Sequence, residues 1–166
     1  MELKPALKNL ENDKSFRSWR KSNKNDYLSY AFKILMEGKD EDWQFGFYSK
    51  KKNTITTFVI EGNKICIRKD EEIFKREEDE VEEININDVK LNLNEIMKIT
   101  QDYEKKNYPR EKNLKIIAIL QKIEKLGTIW NITFITESFN TLNIKVDSSD
   151  GKILEHRLEQ IISFGK

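Results

Sequence analysis

The sequence predicts an α+β fold: two helix-plus-antiparallel-sheet pseudo-repeats that share a core, with an N-terminal helical segment in front. Three observations carry that expectation. First, the chain resembles itself at a shift of 87, where Trp43-Gln-Phe-Gly-Phe47 falls on Trp130-Asn-Ile-Thr-Phe134, and Thr54, Ile55, Thr57 and Val59 fall on Thr141, Leu142, Ile144 and Val146. One inserted turn residue changes the shift to 88, so that Lys64-Ile65 meets Lys152-Ile153 and Ile73-Phe74 meets Ile161-Ile162. Second, each copy opens on apolar residues at helical spacing. Third, each continues in short runs that alternate apolar and polar residues between turn signals. The expected layout is an N-terminal helical segment over 1–25, a first repeat over 26–74, an acidic linker over 75–91 and a second repeat over 92–166.

A helical segment near 12–22 carries Phe16 and Trp19 three residues apart. In the first repeat Tyr27, Leu28, Ala31, Phe32 and Leu35 follow i, i+3, i+4 spacing, with Asn25 or Asp26 as a cap and Gly38 as a stop. Strands follow at Phe45–Phe47, at Ile55–Val59 and, after the turn Glu61-Gly62-Asn63, at Ile65–Ile67. The linker ends in a short strand, Ile84-Asn85-Ile86.

The second repeat opens with the stripe Leu93, Ile96, Met97, Thr100 and Tyr103, capped by Asn92 with Glu95 three residues on. That helix ends before Pro109, which cannot donate to a helical ladder. The extra run Leu114–Ile123 reads as helix by composition or strand by its isoleucines; its nearness to Pro109 and the turn at EKLG favour strand. Strands at Ile132–Phe134, Leu142–Val146 and Ile153-Leu154 follow, with the turn Ser148–Gly151 before the last. Leu142, Ile144 and Val146 fall on one face and Asn143 and Lys145 on the other, a sheet buried on one side.

Composition excludes several classes. Charged residues are 36% of the chain, but 30 basic and 29 acidic groups nearly cancel, against both a chain held open by repulsion and a globally basic nucleic-acid binder. The charge is uneven: residues 1–24 are net basic and residues 70–83 strongly acidic. Lysine outnumbers arginine 24 to 6, which favours a solvated surface over planar phosphate recognition. No apolar run is long enough to span a bilayer, the first residues have no signal-peptide pattern, and Cys66 is the single cysteine, so a cytoplasmic protein is expected.

The search for chemistry yields few candidates. His156 shares the face of Leu154 and Leu158 and is expected to be partly packed, and Cys66 between Ile65 and Ile67 is expected to be inert. One cysteine and one histidine cannot make a tetrahedral structural zinc site, no phosphate-cradling glycine loop occurs, and Asp147–Gly151 lacks calcium-loop spacing. No catalytic, cofactor-binding or metal-binding residue is expected, and no cofactor. Trp43 and Trp130 are expected to anchor helix against sheet, the alternative being a ligand shelf. Phe16, Trp19 and Arg20 form an aromatic and basic helical stripe that either docks on its own domain or meets a partner.

The stretch Trp130–Leu158, WNITFITESFNTLNIKVDSSDGKILEHRL, resembles a PepSY domain, whose helix is followed by strands ending in a hairpin matched here by Ile144–Leu154. Val59–Ile65 matches the same hairpin more loosely, and the whole chain resembles archaeal proteins of similar length that carry such a domain. PepSY domains in propeptides inhibit or chaperone a protease. With no protease, signal peptide or membrane anchor in this chain, the resemblance implies a non-enzymatic module that binds or regulates another protein. The alternatives are single-stranded nucleic-acid binding through the basic N-terminal segment and an enzyme with an unrecognised carboxylate site.

Overall fold

The computed structural model describes residues 1–72 and 80–161. Among these residues three helices, α1 (Leu3–Asn12), α2 (Lys14–Ser22) and α3 (Leu93–Asn107), pack against one antiparallel sheet. Its strands are β1 (Tyr27–Met36), the two-residue β2 (Lys39–Asp40), β3 (Gln44–Ser49), β4 (Thr54–Glu61), β5 (Lys64–Glu72), β6 (Asn113–Ile123), β7 (Gly127–Thr136), β8 (Asn140–Asp147) and β9 (Ile153–Gln160). The order is β5-β4-β3-β1-β6-β7-β8-β9, with β2 paired only to β1. The sheet is therefore two antiparallel meanders joined where β1 pairs β6, from Tyr30 opposite Gln121 to Met36 opposite Lys115.

The N-terminal segment holds two helices. Asp13 separates them, and its carboxylate accepts the backbone N–H groups of Ser15 and Phe16 at 2.7 and 3.2 Å, the arrangement that caps a new helix start. α1 buries Leu3, Ala6, Leu7 and Leu10 on one face. α3 starts on the expected box: the Asn92 side chain accepts from Glu95 N–H, and the Glu95 carboxylate accepts from Asn92 N–H.

The expected helix at 27–35 is instead strand β1. Its apolar residues satisfy both periodicities, because the strand is central and apolar on both faces. Ala31, Lys33 and Leu35 point to the helices, while Tyr30, Phe32 and Ile34 point away. A bulge between Leu28 and Tyr30 breaks the alternation further, burying Leu28 and Ser29 in succession. Gly38 is a turn residue between β1 and β2, with φ of 71°, and not a helix stop. Leu114–Ile123 is strand, within β6. Residues 84–86 are not a strand. That segment is tied to β1 by the bond from Ile84 N–H to the Leu28 carbonyl and enters a 3-10 turn at Ile86–Asp88. Residues 75–79 of the linker lie outside the described residues, as do Ile73, Phe74 and Ile162 from the self-comparison.

One core joins everything. Phe45, Phe47 and Phe58 from one meander and Trp130, Ile132, Phe134, Leu142 and Ile144 from the other pack with the apolar faces of all three helices. Neither four-strand set could bury this much surface alone.

Candidate functional site: the uncovered face of the sheet

Because the three helices share one side of the sheet, the strands present their alternate residues on the other, which no helix among the described residues covers; Tyr48, Thr57, Val59 and Ile129 are nonetheless buried on it. At its centre Phe32 faces Ile119 and Ile34 faces Ile117 across the β1–β6 pair, all four half-buried and none of them part of the helix-side core. Half-buried Ile135 extends this apolar centre along β7. A polar border lies beyond it on β7 and β8, where the Asn143 amide donates to Asn131 Oδ1 and to Thr133 Oγ1 at 2.8 Å. Lys145 then pairs with Glu155 of β9. On the opposite flank Tyr30 covers Gly46, and its hydroxyl lies 2.8 Å from the Thr57 hydroxyl. The result is an apolar strip bordered by the Asn131, Thr133 and Asn143 side chains on one flank and by the Tyr30–Thr57 hydroxyl contact on the other.

The residues singled out in the sequence lie elsewhere in the fold. Phe16 is 4% exposed, with its ring 5.2 and 5.0 Å from those of Phe47 and Phe58. Trp19 packs on the same two rings. The Arg20 guanidinium covers Phe16, Trp19 and Phe47, and donates to the carbonyls of Asn23 and Asp26. The stripe packs on its own sheet, where Phe16 is buried while Trp19 and Arg20 stay half-buried. Trp43 and Trp130 are both buried, 6.3 Å apart between ring centres, so neither forms a shelf. Each indole N–H donates to a carbonyl just ahead of a helix: Trp43 to Met1 before α1, and Trp130 to Leu91 before α3.

His156 Nδ1 lies 2.8 Å from the Tyr108 hydroxyl, and its ring packs on Tyr103. Cys66 is exposed, and a hydrogen bond to the Glu61 carboxylate raises its thiol pKa. Asp147 accepts from the Ser149 hydroxyl and from the N–H groups of Ser149 and Asp150, which holds its pKa down and commits it to the turn. Among the described residues no three His, Cys, Asp or Glu side chains converge to hold a metal ion.

One group escaped the sequence reading. Glu104 is 4% exposed, and its carboxylate accepts from the Asn113 amide at 2.9 Å, while neighbouring Glu111 accepts from Asn140. Burial raises the Glu104 pKa, and the negative charge of Glu111 adds to the rise. The signal was present: Glu104 continues the Ile96, Thr100 stripe at i+4, but a carboxylate on an apolar stripe is read as surface.

Comparison with known proteins locates the fold. No family model matches the sequence, and no curated protein matches it. The crystal structure of a Clostridium difficile 630 protein described as a "putative lipoprotein" is similar, with a TM-score of 0.56, 19% identity and coverage of 90% of this chain and 97% of that one. At that identity the likeness is one of fold.

Proposed function

We propose that the protein is a non-enzymatic, PepSY-like module that binds or regulates another protein through the uncovered sheet face. The observation that carries this reading is the apolar centre at Phe32, Ile34, Ile117 and Ile119, framed by hydroxyl and amide groups and lying outside the helix-side core. An interface typically has such an apolar centre and polar rim. Its partner is a protein surface offering apolar side chains to the strip and hydrogen-bonding groups to Asn131, Thr133 and Asn143.

The tandem-repeat reading belongs with this proposal, and three features support it. The shift of 87 that lays Trp43 on Trp130 also carries 27–36 onto 114–123, so β1 corresponds to β6. It likewise carries β4 onto β8, and the shift of 88 carries β5 onto β9. Corresponding tryptophans bond to the segments entering α1 and α3. Each repeat is then a helical element and a four-strand meander, so the run Leu114–Ile123 is the counterpart of β1 and not an addition. A reducing, cytoplasmic setting suits the exposed Cys66.

The test compares baits by quantitative affinity capture from the source cell: wild type against Ile117→Lys/Ile119→Lys, each confirmed folded by circular dichroism. A protein captured by wild type and lost with the double variant supports the reading. An identical set of captured proteins refutes it.

A further inference from the structure

The last strand, β9, ends the sheet: it pairs with β8 on one side, and among the described residues no strand lies on its other side. Its register on β8 is regular from Glu155 to Gln160. The Ile161 N–H bonds inward to the Phe139 carbonyl, and antiparallel ladders alternate. The backbone groups of Glu155, Arg157 and Glu159 therefore turn toward β8, while those of Leu154, His156, Leu158 and Gln160 turn outward. The strand contains no proline, its charged side chains Glu155, Arg157 and Glu159 all lie on one face, and its one bulge lies at its start, where Leu154 is the extra residue opposite Lys145 and Val146. Leu158 is 40% exposed on the helix side of this edge.

We infer that β9 pairs antiparallel with β9 of a second copy of this chain, about a twofold axis at His156, so that Glu155 of each copy opposes Arg157 of the other. The symmetry restricts the choice. A twofold axis perpendicular to the sheet keeps like faces together, so only residues of equal parity can oppose one another. Centring on Arg157 would set Arg157 against itself and Glu155 against Glu159, and centring on Glu155 or Glu159 would oppose two carboxylates. Centring on His156 gives two Glu155–Arg157 pairs on the uncovered face. On the helix face it sets Leu154 against Leu158 twice, covering exposed apolar surface. The outward backbone groups of Leu154, His156 and Leu158 then meet their counterparts in a ladder that continues the sheet across the axis. The His156 rings stay on their own helices, each held by Tyr103 and Tyr108. A register centred on Leu158 also opposes unlike charges, Arg157 with Glu159, and the test separates the two.

The experiment is sedimentation equilibrium on the full chain at several concentrations and moderate salt. Wild type is expected to sediment as a concentration-dependent dimer of the 19.8 kDa chain. Arg157→Glu places like charges at both sites and is expected to weaken the dimer at least tenfold. The exchange Glu155→Arg/Arg157→Glu restores unlike charges only in the His156-centred register and is expected to recover dimerisation. Thermal melts check that each variant is folded, since Glu155 also pairs with Lys145, and Arg157 with Glu159 of its own strand. A wild-type monomer at every concentration overturns the inference. So does a dimer indifferent to Arg157→Glu, or an exchange variant that stays monomeric while folded.

Discussion

Gly46 offers a sharp test of how the uncovered face is built. It sits opposite Tyr30 in the β1–β3 pair, and a Cβ placed on it would lie 2.0 Å from Tyr30 Cε1 and 2.5 Å from both Cδ1 and Cζ. No carbon atom fits there, so Gly46→Ala must displace the ring. The ring is half-buried and can swing outward, but doing so breaks its hydroxyl contact with Thr57 and uncovers the strand beneath. Displacing a packed ring costs about 1–3 kcal/mol, of which the hydrogen bond accounts for about 1. In a Tyr30→Ala background the obstruction is gone. There alanine should equal glycine or improve on it by about 0.5–1 kcal/mol, because alanine loses less backbone freedom on folding. Urea denaturation of the four proteins, followed by circular dichroism, gives the cycle. The expected coupling is about 2 kcal/mol, well outside the roughly 0.5 kcal/mol scatter of independent sites. Equal costs of Gly46→Ala in both backgrounds would refute the claim that Tyr30 fills the space above this glycine.

Three further outcomes follow from single side chains. Trp130→Ala removes a fully buried indole and its bond to the Leu91 carbonyl, so urea melts should show a loss of about 3–5 kcal/mol; a loss below about 1 kcal/mol would place the ring outside the core. Because the Glu104 pKa is raised in the fold, its contribution is fully present below the carboxylate pKa of the unfolded chain and is lost as pH rises through the folded value. Glu104→Gln, which still accepts from Asn113, should therefore raise the urea midpoint at pH 7, with the gain shrinking toward acid; a gain that does not depend on pH would contradict the assignment. Iodoacetamide should label Cys66 no faster than a free cysteine at neutral pH, since the Glu61 carboxylate disfavours the thiolate, and Glu61→Gln should speed the reaction; fast labelling of the wild type would point to a reactive thiol.

The elements that could be read from the sequence are those whose signal is local. The Asn92–Glu95 box needs only four residues in a row, and it starts α3 where expected. The alternation of Leu142, Ile144 and Val146 with Asn143 and Lys145 is visible because β8 has one buried and one polar face. The identity of β1 was not local. Tyr27–Met36 is apolar on both sides, so helical and extended spacings fit it equally, and pairing with β6, whose partners lie 79 to 91 residues on, settles it as strand. The same holds for the candidate surfaces. Phe16, Trp19 and Arg20 look like a binding stripe in isolation, and only contact with Phe47 and Phe58, two strands distant in the chain, buries Phe16 and half-buries Trp19 and Arg20. Phe32, Ile34, Ile117 and Ile119 look like ordinary core residues, and only the placement of the three described helices on one side of the sheet leaves them half-buried, with no helix over them among the described residues. Caps, turns and one-sided strands are decided by neighbours along the chain. Which apolar residues are buried is decided by what packs over them, and that depends on the tertiary structure.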